Sequence, residues 1–123
     1  MAKTILAVDD EIGFRDLYTY MLVPLGFEVT CAEDGLQAVE KIQQRPYDLV
    51  LMDIHMPRMT GPEALKKINS LRPNQKVIIF SSSSDPTYAM ENEALKEGAM
   101  DCLLKPVDVE QIQKAINFAL NNR

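Results

Sequence analysis

The sequence has no tryptophan, a single histidine and only two cysteines among its 123 residues. Cys31 and Cys102 lie far apart in apolar, strand-like segments, and no CxxC or Cys/His spacing suits a zinc ion. These features argue against a disulfide-stapled domain and against a zinc-binding domain. They favour two reduced core thiols in a cytosolic protein.

Basic residues and long apolar runs are also scarce. Thirteen Lys and Arg stand against eighteen Asp and Glu, so the formal net charge is −5. No Lys/Arg cluster is available to face phosphates, and we expect no direct nucleic-acid partner. The apolar stretch after Lys3 ends at Val8, too early for a signal peptide. No run approaches the roughly 18 apolar residues that span a bilayer. We therefore expect a cytoplasmic protein without membrane insertion.

Short apolar runs alternate with amphipathic segments along residues 1–123, which we interpret as one domain. Residues 5–8, 49–52 and 77–80 predict strands that are buried on both faces of a parallel sheet. Phe27, Val29 and Cys31 alternate with polar residues and predict a half-exposed strand near an edge. Residues 102–104 predict the shortest strand.

Helical periodicity connects these strands. The predicted buried stripes comprise Phe14, Leu17, Tyr18, Met21 and Leu25, then Val39 and Ile42, then Leu65 and Ile68, and finally Val109, Ile112, Ala115, Ile116 and Ala119. A fourth helix is predicted over residues 87–97. Asp34, Thr60 and Asp108 are placed as N-caps, and Gly26 follows the first helix.

Five strands alternating with five helices predict an α/β fold, a (βα)5 three-layer sandwich with right-handed crossovers. We expect a parallel five-stranded sheet of the flavodoxin-like order 2-1-3-4-5. The Rossmann order is the alternative, and we prefer the first because the chain supplies only five units.

Polar side chains follow the central strands where each strand ends. The first runs into Asp9 and Asp10, the third into Asp53, the fourth into Ser81 and the fifth into Lys105. Because ligands of open α/β sheets bind outside the carboxyl ends of the strands, we expect these groups to form one site.

Two carboxylates about 5 Å apart repel by roughly 3 kcal/mol at an effective dielectric of ~20, so three need a proton or a cation. An oxygen-only acidic cluster best suits Mg²⁺. Lys105 then supplies a positive charge for a phosphoryl group, and Ser81 a hydrogen-bond donor. Asp53, on the central third strand, is the expected nucleophile, forming an acyl phosphate.

The ordered motifs resemble those of the response-regulator receiver family over essentially the whole chain. They are residues 8–11 (VDDE), residues 52–57 (MDIHMP), Thr60-Gly61, Ser81 at the end of an apolar strand, and Lys105-Pro106. The resemblance implies that Asp53 accepts a phosphoryl group from a histidine kinase or a histidine phosphotransfer protein. It also implies signalling through phosphorylation-dependent binding of a downstream protein, or onward relay of the phosphoryl group, rather than a dedicated enzyme.

The resemblance further implies individual roles at the site. Asp10, Asp53 and the backbone carbonyl of His55 would coordinate Mg²⁺, with Asp9 orienting a water ligand. Lys105 would pair with the phosphoryl oxygens, aided by a cis peptide before Pro106, and Ser81 would move toward the phosphoryl group. The side chain of His55 is expected to be a loop residue at the rim, and Met56 and Met59 are expected to pack.

Two positions depart from the family pattern. Cys102 stands where the family places a Tyr or Phe that switches rotamer, and Val107 replaces a frequent Phe after Lys-Pro. A thiol is much smaller than an aromatic ring, so we predict weaker coupling from Ser81 to an output surface. The chain resembles the sporulation phosphorelay intermediate of the family in lacking this aromatic, a resemblance that hints at relay function.

Other interpretations remain open. A haloacid dehalogenase-type hydrolase would need a second Asp two residues after the nucleophile, where His55 stands. A flavin carrier would need a hydroxyl- and Gly-rich loop where residues 9–11 are acidic. A phosphorylation-independent interaction module normally loses an acid or the lysine. The chain could also be the receiver fragment of a longer regulator. Asp10 could simply cap the first helix, and Lys105 could be a solvated surface lysine.

Overall fold

The computed structural model describes residues 2–82, 89–105 and 107–121. Apolar runs and amphipathic segments form the predicted alternation of strands and helices. The strands are β1 (Thr4–Val8), β2 (Glu28–Ala32), β3 (Leu49–Asp53), β4 (Val77–Ser82) and β5 (Asp101–Lys105). The helices are α1 (Ile12–Leu22), α2 (Gly35–Gln44), α3 (Gly61–Leu71), α4 (Ala89–Lys96) and α5 (Val109–Asn121). A short 3-10 helix, Val23–Leu25, follows α1.

The five strands form one parallel sheet in the order β2-β1-β3-β4-β5, as predicted. The register pairs Val8 of β1 with Met52 of β3, and Asp53 of β3 with Phe80 of β4. β2 is an edge strand, and its alternating residues are half-buried as expected. The carboxyl ends of β1, β3, β4 and β5 therefore lie side by side.

Helices cover both faces of the sheet, and each face has its own apolar core. On one face, residues of α2, α3 and α4 pack against the strand side chains that point to that face. The helical residues include Ala38, Ile42, Leu65, Ile68 and Ala94. On the other face, residues of α1 and α5 pack in the same way, among them Tyr18, Met21, Leu22, Ile112 and Ile116. Because both faces are covered, the strands of the centre read as continuous apolar runs.

Three residues of the predicted stripes are exposed rather than buried. Leu17 is 39% exposed and Leu25 41% exposed, whereas Leu22, which the pattern omitted, is fully buried. Leu25 leaves the face because the helix tightens into a 3-10 turn around Pro24. Val109 is 45% exposed, because it opens α5, one turn before the buried stripe begins.

The predicted caps are confirmed. Asp34 accepts from the backbone N–H of Gln37, and Thr60 forms a capping box with Glu63. Asp108 accepts from the backbone N–H of Gln111 at 2.7 Å. Gly26 follows the 3-10 turn with φ of 95°, a left-handed conformation that suits glycine. The described part of the fourth helix begins at Ala89, and residues 87 and 88 of its predicted range lie outside the described residues.

Candidate active site

Three carboxylates meet at the carboxyl edge of the sheet. Asp9 follows β1 directly and Asp53 is the last residue of β3, so the pairing of these two strands brings them together. Asp10 adds a third carboxylate, and one oxygen from each of the three lies within 4.8 Å of the others. Asp9 and Asp53 are buried and Asp10 is exposed. The acidic cluster predicted from the strand ends is confirmed.

Lys105 bridges the two buried carboxylates. Its ammonium nitrogen lies 2.7 Å from Asp9 Oδ2 and 3.1 Å from Asp53 Oδ2. Only 8% of the Lys105 side chain is exposed, so the alternative of a solvated surface lysine is wrong. The ammonium also lies 3.8 Å from the centroid of the Phe14 ring, a cation–π contact that supports it from below.

The remaining oxygens of both carboxylates are held by the backbone in the same way. Asp9 Oδ1 accepts from the N–H of Glu11 at 3.0 Å, and Asp53 Oδ1 accepts from the N–H of His55 at 3.2 Å. Each buried carboxylate is therefore fixed at one oxygen by its own loop and at the other by Lys105.

The first helix is not capped by Asp10. α1 has Glu11 at its N-cap position without a side-chain cap, so the alternative role of Asp10 as a helix cap is wrong.

The charges at this edge shift the proton affinities of the groups. Burial raises the pKa of the Asp53 carboxyl; the Lys105 ammonium opposes this shift and the Asp9 charge reinforces it. Burial disfavours the charged form of Lys105, but its bonds and charge interactions with Asp9 and Asp53 prevail and raise its pKa. Lys105 therefore stays an ammonium, while the Asp53 carboxylate is less stable than in water.

The loop after β3 is packed closely against the sheet. The backbone N–H of Gly61 donates to the Ile54 carbonyl at 2.8 Å, and a Cβ at Gly61 would lie 2.8 Å from Cα of Ile54. Only glycine permits this approach without a shift of the backbone. Met56 and Met59 are buried, as predicted for packing residues, and His55 is exposed at the rim.

A second tie on this loop was not predicted. Arg58, with φ of 68°, donates to Asp34 Oδ2 at 2.5 Å, and the same Asp34 caps α2. Its interaction with the backbone N–H of Gln37, followed by that with Arg58, lowers the pKa of Asp34. The sequence predicted that Asp34 caps a helix, but it did not predict the ion pair with Arg58, 24 residues away.

Ser81 lies at the same edge of the sheet but is turned toward α4. It follows Phe80, the register partner of Asp53, and its buried hydroxyl donates to Glu91 Oε1 at 2.5 Å. Cys102 of β5 is half-buried, and burial, followed by the charges of Glu91 and Asp101, raises its pKa to about 11. The expectation of a cis peptide before Pro106 falls outside the described residues.

The family description "response regulator receiver domain" matches residues 5–117. The chain belongs to this family. Its five-stranded order and the acidic edge with Lys105 agree with that membership. The receiver is a module of two-component signalling, so the sequence-based prediction of family and function class is confirmed.

Two curated relatives bracket the ways in which this module occurs. The chain is 40% identical over 122 residues to the chemotaxis protein CheY of Bacillus subtilis (strain 168), covering 98% of this chain and 100% of that protein. It is 41% identical over 116 residues to the transcriptional regulatory protein ZraR of Klebsiella oxytoca, covering 94% of this chain but 26% of that protein. The chain thus spans about a quarter of the length of the ZraR regulators it matches.

A solved structure links the fold to a metal. The receiver domain of sensor histidine kinase PA1611 from Pseudomonas aeruginosa PAO1, described with a magnesium ion coordinated in its active site cleft, superposes with a TM-score of 0.85 at 27% identity. The match covers 99% of this chain and 100% of that chain. Among the helices of the described ranges, none combines the length and apolar character that a membrane crossing needs.

Proposed function

We propose that residues 1–123 form one receiver domain in which Asp53 accepts a phosphoryl group. The observation that carries the proposal is the buried Asp53 carboxylate with a lysine ammonium 3.1 Å from its Oδ2. An Asp53 oxygen forms the new P–O bond as the P–N bond of a phosphohistidine breaks, and the electron pair leaves with the histidine nitrogen. With acetyl phosphate as the donor, the bond that breaks is the P–O bond to the acetyl oxygen, and acetate leaves with the electron pair.

The acidic cluster fits a magnesium ion. Three carboxylate oxygens within 4.8 Å of one another form a hard-oxygen site, and a single ammonium does not neutralise three charges. Asp10, Asp53 and the backbone carbonyl of His55 would hold the ion, with Asp9 orienting a water ligand. When held by these groups, Mg²⁺ would supply positive charge beside the phosphoryl oxygens.

Lys105 and Ser81 complete the proposed machinery from the neighbouring strands. Lys105 already touches Asp53, so a short displacement toward a phosphoryl oxygen suffices. Ser81 has to exchange its bond to Glu91 for one to the phosphoryl group. The first residue stabilises the acyl phosphate and the second reports it.

The proposed phosphodonor is a histidine kinase or a histidine phosphotransfer protein, acting in the cytoplasm. The output is phosphorylation-dependent binding of a downstream protein, or onward transfer of the phosphoryl group. The full-length match to a chemotaxis protein supports a receiver acting on its own, and the partial match to ZraR supports a receiver within a longer regulator.

Incubation with acetyl phosphate and Mg²⁺, followed by intact-mass measurement, tests the proposal. Wild type should gain the mass of one phosphoryl group, and omission of Mg²⁺ should abolish the gain. Asp53→Asn should gain none, and Asp48→Asn, a half-buried acid elsewhere on the fold, should be labelled like wild type. Equal labelling of wild type and Asp53→Asn would remove Asp53 as the acceptor.

A further inference from the structure

The hydroxyl of Tyr18 is buried without a partner beneath the active site. Tyr18 is fully buried, and within the described ranges its Oη is a buried polar side-chain atom with no hydrogen-bond partner. An unpaired buried hydroxyl costs roughly 1–3 kcal/mol relative to a paired one. A phenylalanine would fill the same apolar space without that cost, so the hydroxyl calls for an explanation.

The ring of Tyr18 belongs to a group of aromatic rings of which one member, Phe14, contacts Lys105. It stacks on Phe80 with centroids 5.2 Å apart and lies 6.2 Å from Phe14. Phe80 is the register partner of Asp53, and Phe14 carries the Lys105 ammonium on its face. Both neighbours of Tyr18 therefore contact or flank residues that bind the phosphoryl group in the proposed function.

The direction of α1 indicates which way the Tyr18 side chain extends. α1 begins just after Asp9 and Asp10, and Tyr18 lies six residues into it, about 9 Å along the axis. Helical side chains lean toward the N-terminus, so the Tyr18 side chain extends back toward the carboxyl edge of the sheet. Besides burial, the charges of Asp9, Asp53 and Glu11 raise the pKa of Tyr18, so the group stays a donor.

Asp9 is the buried carboxylate that loses a donor when Lys105 moves, since it then keeps only the backbone N–H of Glu11. It is fully buried, and its Oδ2 accepts from Lys105, which also binds Asp53. A phosphoryl group on Asp53 adds negative charge and draws the ammonium away from Asp9. A buried carboxylate that loses its cation is costly unless other donors replace it, and the metal-bound water that Asp9 would orient takes up only one of its acceptor positions.

We propose that Tyr18 is a positioning residue of the receiver, whose hydroxyl donates to the Asp9 carboxylate when Lys105 moves to the phosphoryl group. Tyr18 acts through Asp9 and does not touch the phosphoryl group. The resting state holds the hydroxyl unpaired, and the phosphorylated state pairs it. The inference rests on the proposed phosphoacceptor role of Asp53.

Tyr18→Phe separates this role from simple packing. The variant should keep or raise the thermal midpoint of the unphosphorylated protein, because it removes an unpaired buried group. Its affinity for beryllofluoride with Mg²⁺, and its initial rate of labelling by acetyl phosphate, should each fall roughly five- to tenfold. Tyr20→Phe, which removes an 80% exposed hydroxyl from the same helix, should behave like wild type in all three measurements.

Three other outcomes are distinguishable. Beryllofluoride affinity of Tyr18→Phe within twofold of wild type would overturn the positioning role while leaving Asp53 as the acceptor. A clearly lower thermal midpoint of unphosphorylated Tyr18→Phe would also overturn it, because the hydroxyl would then have a partner in the resting state. Absence of labelling in wild type itself would instead refute the phosphoacceptor role on which the inference rests.

Discussion

The Ser81 hydroxyl donates a 2.5 Å hydrogen bond to the carboxylate of Glu91, and this bond joins the end of β4 to α4. A bond to a charged acceptor is stronger than one between neutral groups. In the proposed function, Ser81 has to leave Glu91 to reach the phosphoryl group. The Ser81–Glu91 bond therefore stabilises the unphosphorylated state relative to the phosphorylated one.

Removal of the acceptor should favour the phosphorylated state. Glu91→Ala should bind beryllofluoride roughly three- to tenfold more tightly than wild type, since Ser81 no longer gives up a bond to a charged group. Isothermal titration in the presence of Mg²⁺ measures the change. Glu93→Ala, an exposed acid on the same helix, is the matched control. Unchanged or weaker binding by Glu91→Ala alone would show that the bond does not oppose activation.

Cys102 should limit how far phosphorylation is felt across the surface. An aromatic ring that turns inward fills the space vacated by the strand-end hydroxyl, whereas a half-buried thiol offers little such volume. Amide hydrogen exchange with and without beryllofluoride should change mainly in the loops around Asp10, Met56 and Lys105. Strong changes across residues 89–97 and 109–112, away from these loops, would show that the switch operates without its aromatic.

Magnesium should stabilise the protein by relieving repulsion in the acidic cluster. The thermal midpoint of wild type should rise with Mg²⁺ concentration. Asp10→Ala should reduce that rise and should slightly raise the midpoint without metal, the latter effect being small because Asp10 is exposed. Asp16→Ala makes the same charge change at an exposed position of α1, outside the acidic cluster, and should retain the Mg²⁺ response. A wild-type midpoint independent of Mg²⁺ would refute the metal site.

The raised pKa of Asp53 gives a pH-dependent stability with a defined sign. A carboxyl whose folded-state pKa is raised binds its proton more tightly when folded, so its ionisation removes stability as pH increases from its unfolded to its folded pKa. Asp53→Asn should therefore melt at a higher temperature than wild type at neutral pH without metal. The difference should fade as pH falls below the ordinary Asp range. A lower midpoint of the variant at neutral pH would contradict this balance of burial and attraction.

The main residues of the site could be predicted from the sequence, because they lie at the ends of predicted strands. Asp9, Asp53 and Lys105 each follow an apolar run, and a parallel sheet brings such positions to one edge. The hydrogen-bond partners of the site residues could not be predicted in this way. Glu91 lies on α4, ten residues after Ser81, and no sequence pattern pairs the two. Helical periodicity correctly assigns Tyr18 to the core, but it does not show that the Tyr18 hydroxyl is unpaired.

Which helical residues are buried could likewise be predicted only where the helix is regular. The stripe through Tyr18 and Met21 is confirmed, but the 3-10 turn at Pro24 rotates Leu25 into solvent. A change of helical winding alters which residues share a face, and no apolar pattern records it. The Arg58–Asp34 pair escaped prediction for a related reason, since it joins two loops 24 residues apart.

The chemical identity of the phosphorylated residue tests the central claim most directly. Borohydride reduces an aspartyl phosphate to homoserine, whereas it leaves phosphoserine and unmodified aspartate intact. The protein should be labelled with acetyl phosphate and Mg²⁺, reduced, digested and mapped by peptide mass. We predict homoserine at position 53 alone, dependent on both phosphodonor and Mg²⁺. Homoserine at position 9 or 10 instead, or a stable phosphate on Ser81, would contradict the assignment of Asp53.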